Sequence, residues 1–225
     1  MNYSNFGISL INLTEQDLEL VRGWRNDPLV VRNHAYREFI TPEMQQQWFK
    51  SIRNIHHAYF VILCQGNKVG VINAKGIDWE RMECESGIFI PDPAVYHTMV
   101  PAMVSIMTSD LFFRIFRWKR VVARTLRTNP SVMRYNRSLG YVLCEGQEGA
   151  GNPLYELTPG AFYRKAGKWL EALPALTGEA NAPVILIEPS DEEDPVVMKF
   201  EKSLLQGNPL LKSQVETGEG RRYLF

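Results

Sequence analysis

Apolar residues recur along the chain at two spacings. Short runs that alternate or are continuously apolar, rich in β-branched and aromatic residues, occupy residues 8–13, 59–64, 69–73, 80–90, 120–126, 141–145 and 153–157. Each reads as a strand. Between them, stripes spaced three or four apart mark helices. Leu18, Val21 and Trp24 form one such stripe, opened by Thr14 with Asp17 in the first turn and stopped before Pro28. Thr41-Pro42-Glu43 announces a second helix, with Trp48, Phe49 and Ile52 on one face. A long amphipathic helix is predicted over residues 98–116, and another begins at Asn129. Gln65-Gly66-Asn67-Lys68 marks a hairpin between two of the strands. The order β-α-α-β-β-β-α-β-α-β-β predicts an α/β sheet protein and argues against a bundle or a sandwich.

The pattern changes after residue 158. Thr158-Pro159 caps a helix bearing Phe162, Ala166, Trp169 and Leu173. Residues 174–183 read as a linker and 184–187 as a short strand. The acidic residues 191–194 precede Pro195, a favourable charge for the start of a helix carrying Val196, Phe200 and Leu204. The tail from Asn208 is expected to be ordered only if Tyr223-Leu224-Phe225 docks. Two segments are therefore expected: a domain over residues 1–158 and a C-terminal extension over 159–225.

Charge narrows the partners. Twenty-five basic and 25 acidic residues cancel. Without a global field, neither nucleic acid nor an anionic membrane is an expected partner. No apolar run approaches the roughly 20 residues that span a bilayer, and the first residues lack a secretion signal, so a cytoplasmic location is expected. Cys64, Cys84 and Cys144 are odd in number, widely spaced and within strand-like runs, which suits reduced thiols. Four histidines without ligand-like spacing give no metal site. Ser-His-Asp, Walker and Rossmann signatures are all missing.

The most specific stretch is residues 129–141, NPSVMRYNRSLGY, in which an asparagine precedes a Gly-aromatic step by eleven residues. On a helix, Val132, Tyr135 or Asn136, and Leu139 share a face, and Gly140 suits the left-handed residue that ends it. This segment, lying between two strands, resembles the last catalytic-core segment of the GNAT superfamily of CoA-dependent N-acyltransferases. The element order is similar over about residues 7–158. Trp24-Arg25-Asn26-Asp27-Pro28, then Ile40-Thr41-Pro42-Glu43 leading to Trp48-Phe49, and the ending Tyr155-Glu156-Leu157-Thr158 look like a subgroup. That subgroup contains ribosomal-protein N-terminal acetyltransferases and sugar-nucleotide amine acetyltransferases.

The resemblance implies a GNAT-like α/β fold: a mixed, mostly antiparallel central sheet flanked by helices, here with a C-terminal extension. It implies transfer of an acetyl group from acetyl-CoA, as co-substrate, to a primary amine by direct attack on the thioester. The acceptor would be a small molecule such as an amino sugar nucleotide, or a protein amine. Glu85, two residues before Gly87, matches the position of the general base, and Glu83 has the same parity and is its reserve. Ile88, Phe89 and Ile90 would offer backbone groups to the cofactor, as would His97, Thr98, Met99 and Val100 at the next helix start. Residues 96–102 contain no glycine, a departure from the family's phosphate loop. Asn129 would contact the pantetheine arm. Asn136 stands where many relatives place a tyrosine acid, and asparagine can hydrogen-bond but cannot release a proton. Arg25, Asn26 and His34 lie on the acceptor segment, and the extension offers a surface for a homodimer.

Plain structural roles compete with these. Glutamates are common on half-exposed strands, Asn129 suits a helix N-cap, and Arg25 suits a bridge between two helices. The glycine-free loop and Asn136 also leave open a non-catalytic binding module, or an acyltransferase using a longer-chain or carrier-protein donor.

Overall fold

The structure, a computed structural model, describes residues 1–225. Its centre is one sheet of 11 strands. Strands β1 (Asn2–Asn5) and β2 (Ile8–Asn12) form a hairpin. They are followed by β3 (His57–Cys64), β4 (Asn67–Asp78) and β5 (Glu83–Phe89), an antiparallel meander. Next come β6 (Arg120–Arg124), β7 (Val142–Leu143) and β8 (Leu154–Leu157). Strands β9 (Val184–Ile187), β10 (Ser213–Thr217) and β11 (Gly220–Leu224) complete the set. Their spatial order is β10-β11-β9-β1-β2-β3-β4-β5-β6-β8-β7. Every neighbouring pair is antiparallel except β5 and β6. The fold is thus the mixed, mostly antiparallel α/β sheet expected.

Period-two alternation sends the two faces of the sheet to different partners. Val61 and Val71 pack with Leu13, Leu18 and Val21 beneath α1 (Leu18–Asn26) and α3 (Pro42–Ile52), with the short α2 (Pro28–Val31) beside them. The opposite residues, Ala58, Phe60, Ile62, Ile72 and Ala74, join the main core. That core receives α5 (Val100–Asp110), α6 (Pro130–Leu139), α7 (Pro159–Thr177) and α8 (Pro195–Leu205). The turn between β3 and β4 is a tight hairpin in which Gln65 and Gly66 both take positive φ, +51° and +77°. That pair of conformations matches the strand twist.

Several elements depart from the sequence expectation. The long helix predicted over 98–116 is split: α4 (Pro93–Tyr96) precedes it, and after Asp110 it continues as a π-helical turn, Leu111–Ile115. It is buried around its circumference rather than amphipathic, since Met103, Val104, Met107, Phe112 and Phe113 all lie in the core. The stretch read as a linker from residue 174 begins inside α7, because Pro174 is accommodated in the helix, which runs on to Thr177 before Gly178 caps it. Strand β1 carries no long apolar run, so the hydrophobic pattern does not predict it. The tail docks: Tyr223 is fully buried, and β11 pairs with β9 along residues 184–187.

Candidate active site

Strands β5 and β6 run parallel for only three residue pairs, Glu83 with Arg120, Cys84 with Val121 and Glu85 with Val122. Beyond Glu85, β5 continues to pair with β4 through Ser86, Gly87, Ile88 and Phe89. On the side that faced β6, these four residues have no strand partner. The sheet therefore opens into a wedge lined by unpaired main-chain groups, which demand hydrogen-bonding partners wherever they are not in water. Ile88 and Phe89 lie on this edge, and Ile90 is buried just past the end of the strand.

Below the wedge, on the face shared with α1 to α3, lies a pocket of about 410 Å³. Glu83, Glu85, His57, Lys75 and Arg120 line it. The two glutamates project together, as their parity requires. Each is engaged by cations: Lys75 Nζ lies 2.9 Å from Glu85 Oε1 and Arg124 Nε 3.6 Å from Oε2. Arg120 Nη1 donates to Glu83 Oε2 at 3.3 Å, and Arg120 also meets Glu156 at 2.7 Å. A bulge in β4 after Lys75, with Gly76 at φ +59°, widens the floor. His57 Nδ1 and Asn73 Oδ1 on this face are buried without a hydrogen bond. Asn73 lies opposite Gly87, where a side chain on residue 87 would meet the amide at 3.5 Å.

The segment expected to meet the acceptor, with Arg25, Asn26 and His34, folds over the same face. His34 packs edge-on against Phe89 with ring centroids 5.5 Å apart. Burial, then the positive charges of Arg25 and Lys75, pull the His34 imidazole below its ordinary value. The His57 ring is held down by burial, His56 and Lys75. Both rings therefore remain neutral near pH 7 and can accept a proton. Arg25 lies over Trp48, its guanidinium carbon 5.1 Å from the ring centroid, and donates to Gln45 Oε1 at 3.1 Å. Asn26 points elsewhere. Its side chain closes the loop of residues 27–39 by donating to Ile40 O at 2.9 Å and accepting from Ile40 N at 2.8 Å. The structure thus places Asn26 as a clasp at the base of the loop of residues 27–39.

On the other face, Asn129 caps α6 by accepting from Val132 N at 3.3 Å. Its amide also donates to Asn33 at 3.2 Å, so the loop of residues 27–39 is tied to the helix start. Asn136 does not face the wedge as a free group: it is buried, and its amide donates to Thr125 Oγ1 at 2.9 Å. The neighbouring Tyr135 hydroxyl is buried without a hydrogen bond. Burial raises it to about 12, opposed by Ser105 of α5, whose own hydroxyl donates to Pro101 O at 2.9 Å. At the start of α5, Thr98 Oγ1 accepts from Val100 N at 3.2 Å and donates to Val95 O at 2.6 Å. Proline at 101 has no donor. The amides of Met99 and Ala102 have no main-chain partner, while His97 N bonds Pro93 O. The helix start thus presents two unpartnered main-chain donors where a glycine-rich loop would present more.

An opened strand edge thus lies beside a pocket lined by carboxylates and imidazole. Residues 8–142 match the family model described as an acetyltransferase (GNAT) domain. The chain belongs to the GNAT acetyltransferase family, and it is an acyltransferase enzyme. No curated protein sequence matches the chain. Solved structures share its fold. A domain from Methanocaldococcus jannaschii aligns at 23% identity and a TM-score of 0.57, covering 67% of this chain and 97% of its own. Spermidine N-acetyltransferase from Vibrio cholerae, in complex with CoA and spermine, aligns at 18% and 0.58, covering 70% and 99%. An aminoglycoside acetyltransferase in complex with coenzyme A aligns at 15% and 0.59, covering 70% and 98%.

Proposed function

We propose that this acetyltransferase moves the acetyl group of acetyl-CoA to a primary amine by direct attack, within the subgroup that acetylates sugar-nucleotide amines or protein N-termini. The observation that carries the reading is the coincidence of the opened edge, Ser86 to Phe89, with a polar pocket on the same strand. Two of the structural neighbours were solved with CoA or coenzyme A, which supports acetyl-CoA as the co-substrate.

The thioester supplies an activated acyl carbon and a thiolate leaving group that needs little acid help. The chain's residues then have three tasks. Main-chain groups of residues 86–89 orient the donor, and the Met99 and Ala102 amides hold its phosphates. Gly87 leaves the acceptor face uncovered above the wedge, and Asn73 Oδ1 accepts a hydrogen bond from the incoming nitrogen. Glu85 receives the amine's proton once the ammonium displaces Lys75 from Oε1, with neutral His57 beside it as the second acceptor. Asn136, committed to Thr125, stabilises the helix and donates no proton.

The test has two parts. Acetyl-CoA should raise the melting temperature, and release of free CoA thiol should require an added amine. Glu85→Gln should then lower kcat by roughly 10²-fold or more. An unchanged rate would remove Glu85 from proton transfer and pass the role to His57, read with His57→Gln. The sparse donors at the start of α5 favour a second reading, a donor held mainly by its pantetheine arm. Comparable kcat/KM for acetyl-pantetheine and acetyl-CoA would support it.

A further inference from the structure

Five arginines are half-buried in this protein, and four of them meet a carboxylate: Arg22 with Glu19, Arg114 with Asp110, Arg120 with Glu83 and Glu156, and Arg221 with Glu192 and Glu201. Arg25 has none within 4.0 Å. Its one hydrogen-bond acceptor is Gln45 Oε1. Gln45 is itself only 2% exposed, and its Nε2 is buried with no acceptor of its own. This corner therefore holds a surplus of donors. Burial pulls the guanidinium below its ordinary range, and only Tyr59 and Tyr36 oppose that shift. Removing an unpaired charge from water is costly unless a partner arrives.

The corner adjoins the site. Trp48, on which Arg25 stacks, makes an edge contact with Tyr59 at 5.0 Å, and Tyr59 stands in the row of Asn73 and Gly87. The positive charge of Arg25 is felt by His34, which touches Phe89 at the wedge. The pocket carboxylate of Glu85 is already shared between Lys75 and Arg124. Arg25 bridges α1 to α3 through Gln45 and Trp48, and with no carboxylate within 4.0 Å its guanidinium is open to a counter-charge from outside the chain.

We infer that Arg25 is an anion subsite of the acceptor pocket: the amine acetylated here carries a carboxylate or phosphate that the guanidinium grips while the amino group lies over Gly87. This rests on the acetyltransferase reading above and narrows it, since a purely cationic polyamine would place positive charge against Arg25. The planar fork of an arginine pairs both oxygens of such a group, which a lysine cannot do.

Acceptor pairs matched except for the anion test it. With acetyl-CoA as donor, kcat/KM is measured for ethanolamine, O-phosphoethanolamine, β-alanine and spermidine, on the wild type, Arg25→Gln and Arg25→Lys. Charge-assisted hydrogen bonds should favour an anionic amine over ethanolamine by roughly tenfold to a hundredfold. The two anionic amines separate phosphate from carboxylate recognition. In Arg25→Gln the ratio should fall towards one, and Arg25→Lys should keep part of it. A wild-type ratio near one, a preference for spermidine, or a ratio that survives Arg25→Gln would overturn the assignment. A binding measurement keeps the result independent of turnover. With free CoA saturating, inorganic phosphate should raise the melting temperature of the wild type further and leave that of Arg25→Gln unmoved. An equal response in both, or none in either, overturns the subsite even if no amine is acetylated. Failure of acetyl-CoA to bind would instead strike the acetyltransferase reading alone.

Discussion

His34 and His57 bring two neutral imidazoles to the face that carries Glu85, and Lys75 is a shared cause of their neutrality. In the unfolded chain an imidazole binds its proton near pH 6.5 or so. In the folded protein His34 binds it only at lower pH. Between those values the unfolded state holds more protons, so stability is full above about 6.5 and is lost as pH falls through the lower, folded value. His34→Gln should therefore flatten the fall in the urea midpoint between about pH 7 and pH 5. A fall as steep as the wild type's would show that other groups govern it. Residue types also explain what could be read beforehand. The common facing of Glu83 and Glu85 follows from strand parity alone. The presence of Lys75, His57 and Asn73 beside them does not, because it depends on the β3-β4-β5 register and on the bulge after Lys75. Alternation in residues 57–75, set in register by the Gln65-Gly66 turn, is the signal that could have found them.

The helix α6 is set by its two ends. Asn129 caps the start, and Gly140 ends it at φ +107° with Tyr141 N–H reaching back to Asn136 O at 3.0 Å. A methyl group on residue 140 would lie 2.6 Å from Ala161 O, in main chain that cannot swing aside. Gly140→Ala should cost about 2–4 kcal/mol, from the positive φ and the overlap together. Chemical denaturation measures it, and a loss below about 1 kcal/mol would mean that the start of α7 yields. This stop was legible because its cause is local. The wedge was not, since no single strand encodes where its neighbour leaves it. Strand β6 has its last parallel pair with β5 at Val122 while its other edge stays paired with β8 through Arg124, and that divergence becomes visible only when both pairings are known. Likewise Asn26 reads as a polar residue near an acceptor, but its partner Ile40 lies across a loop and redirects it.

At the scale of the whole molecule, residues 159–225 complete the sheet that residues 2–157 begin. Phe162, Ile185, Phe200 and Tyr223 lie in the same core as Tyr3, Ile62 and Met107. Glu201 ties the last hairpin down: burial works against its carboxylate, but hydrogen bonds from Arg221 and Tyr223 outweigh that and hold it below the usual range. A chain ending at residue 207 would strand this carboxylate and should lose about 3 kcal/mol or more. Adding Glu201→Gln should restore part of the loss. Equal stability of the full and shortened chains in urea would show that the hairpin is an ornament of the sheet.

Pairing of Asn2 with Leu186 has a consequence in time. A ribosome delivers β1 well before its outer neighbour β9, which follows only after more than half of these 225 residues has been made. At bacterial or eukaryotic elongation speeds this interval is on the order of ten seconds or longer. Throughout it, β1 presents an unsealed edge to every other nascent strand nearby, so the yield of soluble protein should depend on how fast the message is read past residue 187 and on which chaperones guard that edge meanwhile.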